Sequence, residues 1–476
     1  MTNSSSKESL FHDGKHNYLL PFILVTSCFA LWGFANDVTN PMVKAFSKIF
    51  RMSVTDGALV QLAFYGGYFV MAFPAALFIR KYSYKAGIML GLGLYAIGAL
   101  MFLPAREMGV FFPFLIAYFV LTCGLSFLET SCNPYILTLG SPQTATRRLN
   151  MAQSFNPIGS LCGMFVAMNF IQNRLNPLST DERKLLNDTD FAALRDSDLA
   201  VLIAPYLTIG IVILVMLAIF WMAKLPQGEE QVPDALKDSA ADDSQYGIMA
   251  TIKRICRIPR YREGVVAQFF YVGVQIMSWT FIIQYGTRVL MQAGDYTAFE
   301  RFIGGLLGLD TSGVMIERNA EVLSQGYNIL AMLGFCTSRF VCTFLMRYVS
   351  PGWLLRLMAI LGAIFMAGVV CLDGRAGIYC LVAVSFCMSL MFPTIYGIAL
   401  DGIGRDAKFA AAGLIMAILG GSVLPPLQAA VIDLETAETA VNGLVFGIPA
   451  VNLSFVLPLI CFIVVMIYGH RNIIRK

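Results

Sequence analysis

Charge is scarce in this 476-residue chain. Only 13% of its residues are Asp, Glu, Lys or Arg, against 57% hydrophobic, and the mean hydropathy is +0.68. A soluble domain carries about 25% charged residues, so this chain cannot cover a water-exposed surface. A soluble enzyme, a disordered chain and a nucleic-acid binder are thereby excluded. Histidine is missing from 17–469; the three in the chain are His12, His16 and His470. That removes Ser-His-Asp and Cys-His catalysis, and histidine-rich metal sites, from the apolar body. No GxxxxGKS or GxxxxGKT occurs, so no P-loop drives the protein with ATP. No CxxC pair occurs either. All of the cysteines except Cys256 lie in apolar segments and read as small hydrophobes. The apolar runs are long and continuous, which excludes a β-barrel. The class left is an all-α polytopic membrane protein.

What is present is a series of apolar segments, at about 18–42, 58–80, 86–104, 111–138, 150–172, 200–223, 264–291, 320–346, 353–372, 377–400, 409–432 and 445–469. Each is long enough to cross a hydrocarbon core that needs about 20 helical residues. The polar N-terminal stretch 1–16 has no cleavable-signal pattern. The polar stretch 224–263, ending in Lys253, Arg254, Arg257, Arg260 and Arg262, separates six spans from six. The expected organisation is a first half over 1–223, a cytoplasmic linker over 224–263 and a second half over 264–476. The halves echo each other weakly: Leu77-Phe78-Ile79-Arg80-Lys81-Tyr82-Ser83 follows span two, and Phe344-Leu345-Met346-Arg347-Tyr348-Val349-Ser350 follows span eight. With both termini inside, the inner loops and tails hold 21 Lys and Arg and the outer loops 12. The positive-inside rule therefore favours cytoplasmic termini. The long outer loops fall at 173–199 and 292–318. Two six-helix halves joined by an inner loop are the plan of many secondary transporters, whose substrate site lies near the midplane between the halves.

Inside the spans, Asp37 and Glu129 are the acids set deepest in apolar sequence. A charge at the bilayer centre costs at least about 2.5 kcal/mol, and a buried carboxyl avoids that cost by taking a proton. Such a group is suited to proton coupling; pairing with a neighbour or capping a helix break is the structural alternative. Neutral polar residues recur at helical spacing: Trp32, Asn36 and Asn40 in span one, Glu129 and Asn133 in span four, and Gln153 and Asn156 in span five. Span seven carries Gln268, Tyr271, Gln275 and Trp279 as a stripe. Amides supply donors and acceptors and aromatics supply flat apolar faces, the combination a neutral hexose requires. Interhelical hydrogen bonding draws on the same residues, and any one of them alone reads more readily as such a tie. Gly66-Gly67, Gly420-Gly421 and Pro425-Pro426 permit close packing or helix breaks. Arg339, near the inner end of span eight, reads as a snorkelling or gating charge.

At these residues the chain resembles the fucose–proton symporter branch of the major facilitator superfamily, a branch that also holds glucose/galactose transporters. The likeness runs from about 18 to 469. Its most specific pieces are Leu128-Glu129-Thr130-Ser131-Cys132-Asn133-Pro134, Arg148-Leu149-Asn150-Met151-Ala152-Gln153-Ser154-Phe155-Asn156, and Ala267-Gln268-Phe269-Phe270-Tyr271-Val272-Gly273-Val274-Gln275. Phe64-Tyr65-Gly66-Gly67-Tyr68-Phe69, Ser83-Tyr84-Lys85-Ala86-Gly87 and Pro393-Thr394-Ile395-Tyr396 add to it. The resemblance implies the twelve-helix major facilitator fold and an alternating carrier in which protons drive a monosaccharide, most specifically L-fucose, inward. It makes Glu129 the protonatable group, Gln153 and Asn156 sugar-contacting amides, and Trp32 and Trp279 cavity aromatics. Two positions depart from the family. Its first-span aspartate aligns with Asn40, whereas this chain has an acid at Asp37, about 4.5 Å along the helix axis and some 60° around it. A family tyrosine is replaced by Phe392.

The expectation is thus a proton-coupled hexose symporter of the inner membrane. It would work as a monomer, with the bilayer and a small sugar as partners, no nucleic acid, and no cofactor beyond the coupling proton. Glucose or galactose as substrate, drug–proton antiport, an intramembrane enzyme built on paired acids, and a non-transporting sugar sensor are the rivals.

Overall fold

The structure, a computed structural model, describes residues 17–39, 42–52, 59–172, 174–176, 178, 180–226, 248–306, 308–372, 374–433, 444–445 and 447–474. Eleven of its helices are long and apolar enough to cross a membrane. Spans one to four are Leu19–Thr39, Leu59–Lys81, Tyr84–Met108 and Phe112–Thr138, and span six is Asp188–Met222. Spans seven to ten are Pro259–Ala293, Glu317–Leu345, Pro351–Cys371 and Arg375–Leu400; spans eleven and twelve are Ala407–Ile432 and Ala450–Ile473. In the bilayer only structures that satisfy their own backbone can cross, and helices do so residue by residue.

The remaining crossing, span five, is assembled from pieces: Ala145–Gln153, Phe155–Val166 and a π-helical turn at Ala167–Gln172. Pro157 has no N–H and leaves the carbonyl of Gln153 without its helical partner. Ser154, at the junction, bonds Asn150 O with its hydroxyl at 2.9 Å. Span ten turns at 389–390 for the same reason, since Pro393 cannot reach back to Ser389 O.

The chain groups into two compact units. One comprises Met1–Tyr261 with Leu400–Met416, the other Arg262–Ala399 with Ala417–Lys476. In the first, span three packs along span four, span one along span five, and span two along span four. The crossing of spans one and five is close because Gly159 has no side chain: a Cβ there would collide with the Ala30 carbonyl. In the second unit, span nine packs on spans ten and twelve, and span eight on span ten.

The outer segments expected as long loops are largely helical. Span six starts at Asp188, not near 200, because Asn187 caps it through Oδ1 to Asp190 N at 2.8 Å. A buried ion pair, Arg183–Asp198 at 2.6 Å, ties the short helix Thr180–Lys184 to it. The segment after span seven contains the helix Ala298–Leu306, opened by a reciprocal cap. Thr297 Oγ1 accepts from Glu300 N at 3.2 Å, and Glu300 Oε2 accepts from Thr297 N at 2.7 Å. Glu300 is fully buried and also accepts from Arg375 Nε at 2.9 Å and from the Tyr327 hydroxyl at 3.1 Å. Burial alone would push its carboxyl up, but the bonds from Arg375, Thr297 and Tyr327 outweigh it and hold the group below its ordinary 4.5.

Two predictions follow from this packing. Gly159→Ala is expected to lower thermal stability by about 1–3 kcal/mol, while Gly66→Ala, where a Cβ meets nothing within 4 Å, leaves it unchanged or raised. Equal melting temperatures for the two variants would contradict the close crossing. Glu300→Gln is expected to cost about 3–5 kcal/mol at neutral pH, because Arg375 loses its buried partner. The wild-type advantage is present above pH 4.5 and is lost as the pH falls through the lowered value. A melting-temperature difference that widened in acid would contradict the assignment.

Candidate functional site

The first unit gathers most of the intramembrane polar residues of its own half. Glu129 sits midway along span four, 5% exposed. Its Oε1 accepts from the Tyr68 hydroxyl of span two at 2.9 Å. Tyr68 is itself held by span four, since Ser126 Oγ donates to the Tyr68 carbonyl at 3.1 Å. None of the ion pairs among the described residues involves Glu129; its partner is a neutral phenol. One turn on, Asn133 Nδ2 donates to Glu129 O at 2.9 Å, and its Oδ1 accepts from Gln153 Nε2 at 2.8 Å. Asn133 is fully buried and both ends of its amide are engaged, so it ties Gln153 to the backbone of the turn that carries Glu129. Pro134, just beyond, leaves Thr130 O without a helical partner.

Asn156 is half-buried and donates to Phe29 O at 3.2 Å. Trp32 is buried, its ring 4.1 Å from that of Phe29. Asn36 lies one turn further along span one, with a buried Oδ1 that has no hydrogen-bond partner. Asp37 is also half-buried, within electrostatic reach of Tyr65. The structure thus pairs Tyr68 with the Glu129 carboxyl across spans two and four, and Gln153 with Asn133 across spans four and five. Trp32 and Asn156 meet around Phe29. Asn40 lies outside the described residues.

The second unit carries its own polar stripe on span seven. Trp279 Nε1 donates to Ser385 Oγ of span ten at 3.2 Å, and its ring stands edge-on to Phe335 at 5.0 Å. Gln275 is half-buried. Gln268 and Tyr271 are fully buried, and the Gln268 amide has no hydrogen-bond partner among the described residues. Buried polar atoms without partners are costly, so Gln268 marks a position where water or a polar ligand atom would be stabilised. Phe392 stands 6.3 Å from the Tyr271 ring and stacks on Tyr396.

Arg339 does not snorkel. It is 3% exposed, its Nε donates to Ser389 O at 2.6 Å, and its guanidinium lies 4.6 Å over the Phe335 ring. The receiving carbonyl is the one Pro393 leaves without a helical donor. Arg148 is likewise internal: it donates to Ile136 O at 3.4 Å, Leu137 O at 2.9 Å and Ser141 O at 2.9 Å, closing the C-terminal end of span four. Sequence reasoning passed over Tyr68, Ser385 and the capping role of Arg148. Tyr68 could have been found, because an intramembrane phenol beside Gly66-Gly67 must find a partner.

Membrane-crossing helices in two compact units, a carboxyl buried without a cation and amides on several spans define an α-helical membrane carrier. The Major Facilitator Superfamily model matches residues 25–426. The chain is 47% identical over 462 residues to an L-fucose-proton symporter of Haemophilus influenzae, covering 95% of this chain and 96% of that one. It is 28% identical over 453 residues to a glucose/galactose transporter of Brucella abortus, covering 95% and 94%. A crystal structure of the Escherichia coli fucose:proton symporter superposes with a TM-score of 0.78 at 27% identity, covering 96% of this chain and 99% of that one. The chain belongs to the fucose–proton symporter family of the Major Facilitator Superfamily, a family of transporters, not of enzymes.

Tyr68→Phe removes the side-chain donor to Glu129. It is expected to cost about 1–3 kcal/mol of stability, read as a lower melting temperature of the purified protein. An unchanged value would show that the carboxyl is satisfied elsewhere.

Proposed function

We propose that this protein is a proton-coupled symporter that imports a neutral hexose, L-fucose, by alternating access. The observation that carries the reading is Glu129: a carboxyl 5% exposed in mid-span, bonded by a neutral phenol and one step from the Asn133–Gln153 amide chain. A buried acid with no cation beside it exchanges a proton with far less electrostatic resistance than one locked in an ion pair. Through Asn133, Gln153 is tied to the backbone of the helical turn that carries Glu129. The 47% identity to an L-fucose-proton symporter supports L-fucose as the hexose. The weaker likeness to a glucose/galactose transporter makes those sugars the second reading.

In the proposed cycle, Glu129 takes a proton from outside, with Asp37 as a second acid near the outer end of span one. Trp32, Asn36, Gln153 and Asn156 contact the sugar from the first half, joined on span one by Asn40. Gln268, Tyr271, Gln275 and Trp279 contact it from the second, the amides meeting hydroxyls and the indoles the C–H faces of the ring. Residues 1–223 and 264–476 act as the alternating halves, with 224–263 as the linker. The excess of Lys and Arg on one side supports cytoplasmic termini, and the membrane crossed is taken as the inner membrane. The proton is the coupling ion, no further cofactor is used, and a monomer suffices.

Glu129→Gln is expected to abolish proton-driven accumulation of L-fucose in vesicles while leaving sugar exchange at equilibrium. Full accumulation by the variant would refute the coupling assignment. Gln153→Ala and Asn156→Ala are each expected to weaken L-fucose binding by about tenfold, the worth of one or two hydrogen bonds. Unchanged affinity in both would move the site elsewhere.

A further inference from the structure

The linker ends in a short helix that the transport cycle does not use. Ile248–Cys256 has nine residues, too few to cross a membrane. It is two-faced. Thr251 and Ile255, four apart, are buried against the protein. The opposite face is open and orderly: Cys256, Met249, Lys253 and Arg257 are all exposed and adjacent around the helix, with Met249 75% exposed. Arg257 continues the turn through its N–H to Lys253 O at 3.2 Å, which sets the two cations one above the other. On one flank Arg254 is neutralised by Asp406, with Nε–Oδ2 at 2.7 Å and Nη2–Oδ1 at 2.8 Å. Arg260, past the helix end, is neutralised by Asp401 at 2.8 Å. Lys253 and Arg257 have no such partner among the described residues.

These two free cations stand where the chain enters the bilayer. Span seven starts at Pro259, and the apolar run begins near Gly264, so Arg257 lies about 10 Å from the hydrocarbon boundary. That distance is about one Debye length at physiological salt. An exposed apolar side chain beside two unpaired cations at headgroup depth is the arrangement of an interfacial helix.

We propose that the open face of Ile248–Cys256 binds an anionic phospholipid headgroup, held between Lys253 and Arg257, with the exposed Met249 beside it. The phosphate accepts hydrogen bonds from the ammonium and the guanidinium, and the cytoplasmic leaflet supplies the anionic lipid. The proposal rests on the proposed cytoplasmic placement of the linker. It does not depend on which sugar is carried. The contact fixes the linker helix to the bilayer while Arg254 fixes it to the loop that opens span eleven.

The test is native mass spectrometry of the purified full chain in detergent, titrated with phosphatidylglycerol and separately with phosphatidylcholine, with L-fucose counterflow measured on the same preparations. The wild-type chain is expected to retain phosphatidylglycerol in preference to phosphatidylcholine. Lys253→Gln with Arg257→Gln is expected to lose about thirtyfold in apparent affinity for phosphatidylglycerol, at about fivefold for each cation. The charge-keeping pair Lys253→Arg with Arg257→Lys restores it, which separates charge from misfolding. An unchanged preference in the glutamine double variant, or no preference in the wild type, overturns the proposal. Absent counterflow with the lipid preference intact would count against the sugar-transport reading and leave this one standing.

Discussion

Water does not enter the hydrocarbon core, so every polar group placed there must be satisfied by the protein or by what the protein carries. That constraint orders the structure. Helices satisfy the backbone, and in span ten the carbonyl that a proline frees finds another donor. Pro393 leaves Ser389 O to Arg339, which holds a guanidinium in the interior. The end of span four, whose last carbonyls have no next turn, is closed by Arg148. Asn36 on span one and Gln268 on span seven keep buried amide atoms without a hydrogen-bond partner among the described residues.

Glu129 is the sharpest case. A carboxyl met by an arginine would be locked in its charged form, and one met by nothing would be locked in its neutral form. Tyr68 supplies a single neutral hydrogen bond, compatible with either state. Asn133 links the same turn of helix to Gln153 on span five. Gln268 in the second unit presents a different condition, a buried amide without a hydrogen-bond partner among the described residues. It is stabilised when water or a hydroxyl-bearing ligand reaches it.

Much of this was legible in the sequence because helical periodicity is local. Glu129 and Asn133, Gln153 and Asn156, and the span-seven stripe lie on shared faces through their spacing alone. Spacing carries no information about which spans meet. Tyr68 and Glu129 are 61 residues apart and no pattern links them, so the phenol was passed over although its motif was noted. Arg339 read as a snorkelling charge because it lies near a helix end; its interior position depends on a carbonyl freed fifty residues later. The start of span six read as loop because 188–198 is polar. A cap at Asn187 and the buried Arg183–Asp198 pair make it helix. Span five read as one helix because its hydropathy is continuous; Pro157 decides otherwise.

The central claim is that proton entry is coupled to sugar entry through Glu129. The direct measurement is the external pH of a weakly buffered suspension of de-energised cells producing this protein, recorded as L-fucose is added. The account predicts immediate alkalinisation of the medium with L-fucose and none in cells producing the Glu129→Gln variant. Uptake of radiolabelled L-fucose with no change in external pH would contradict it.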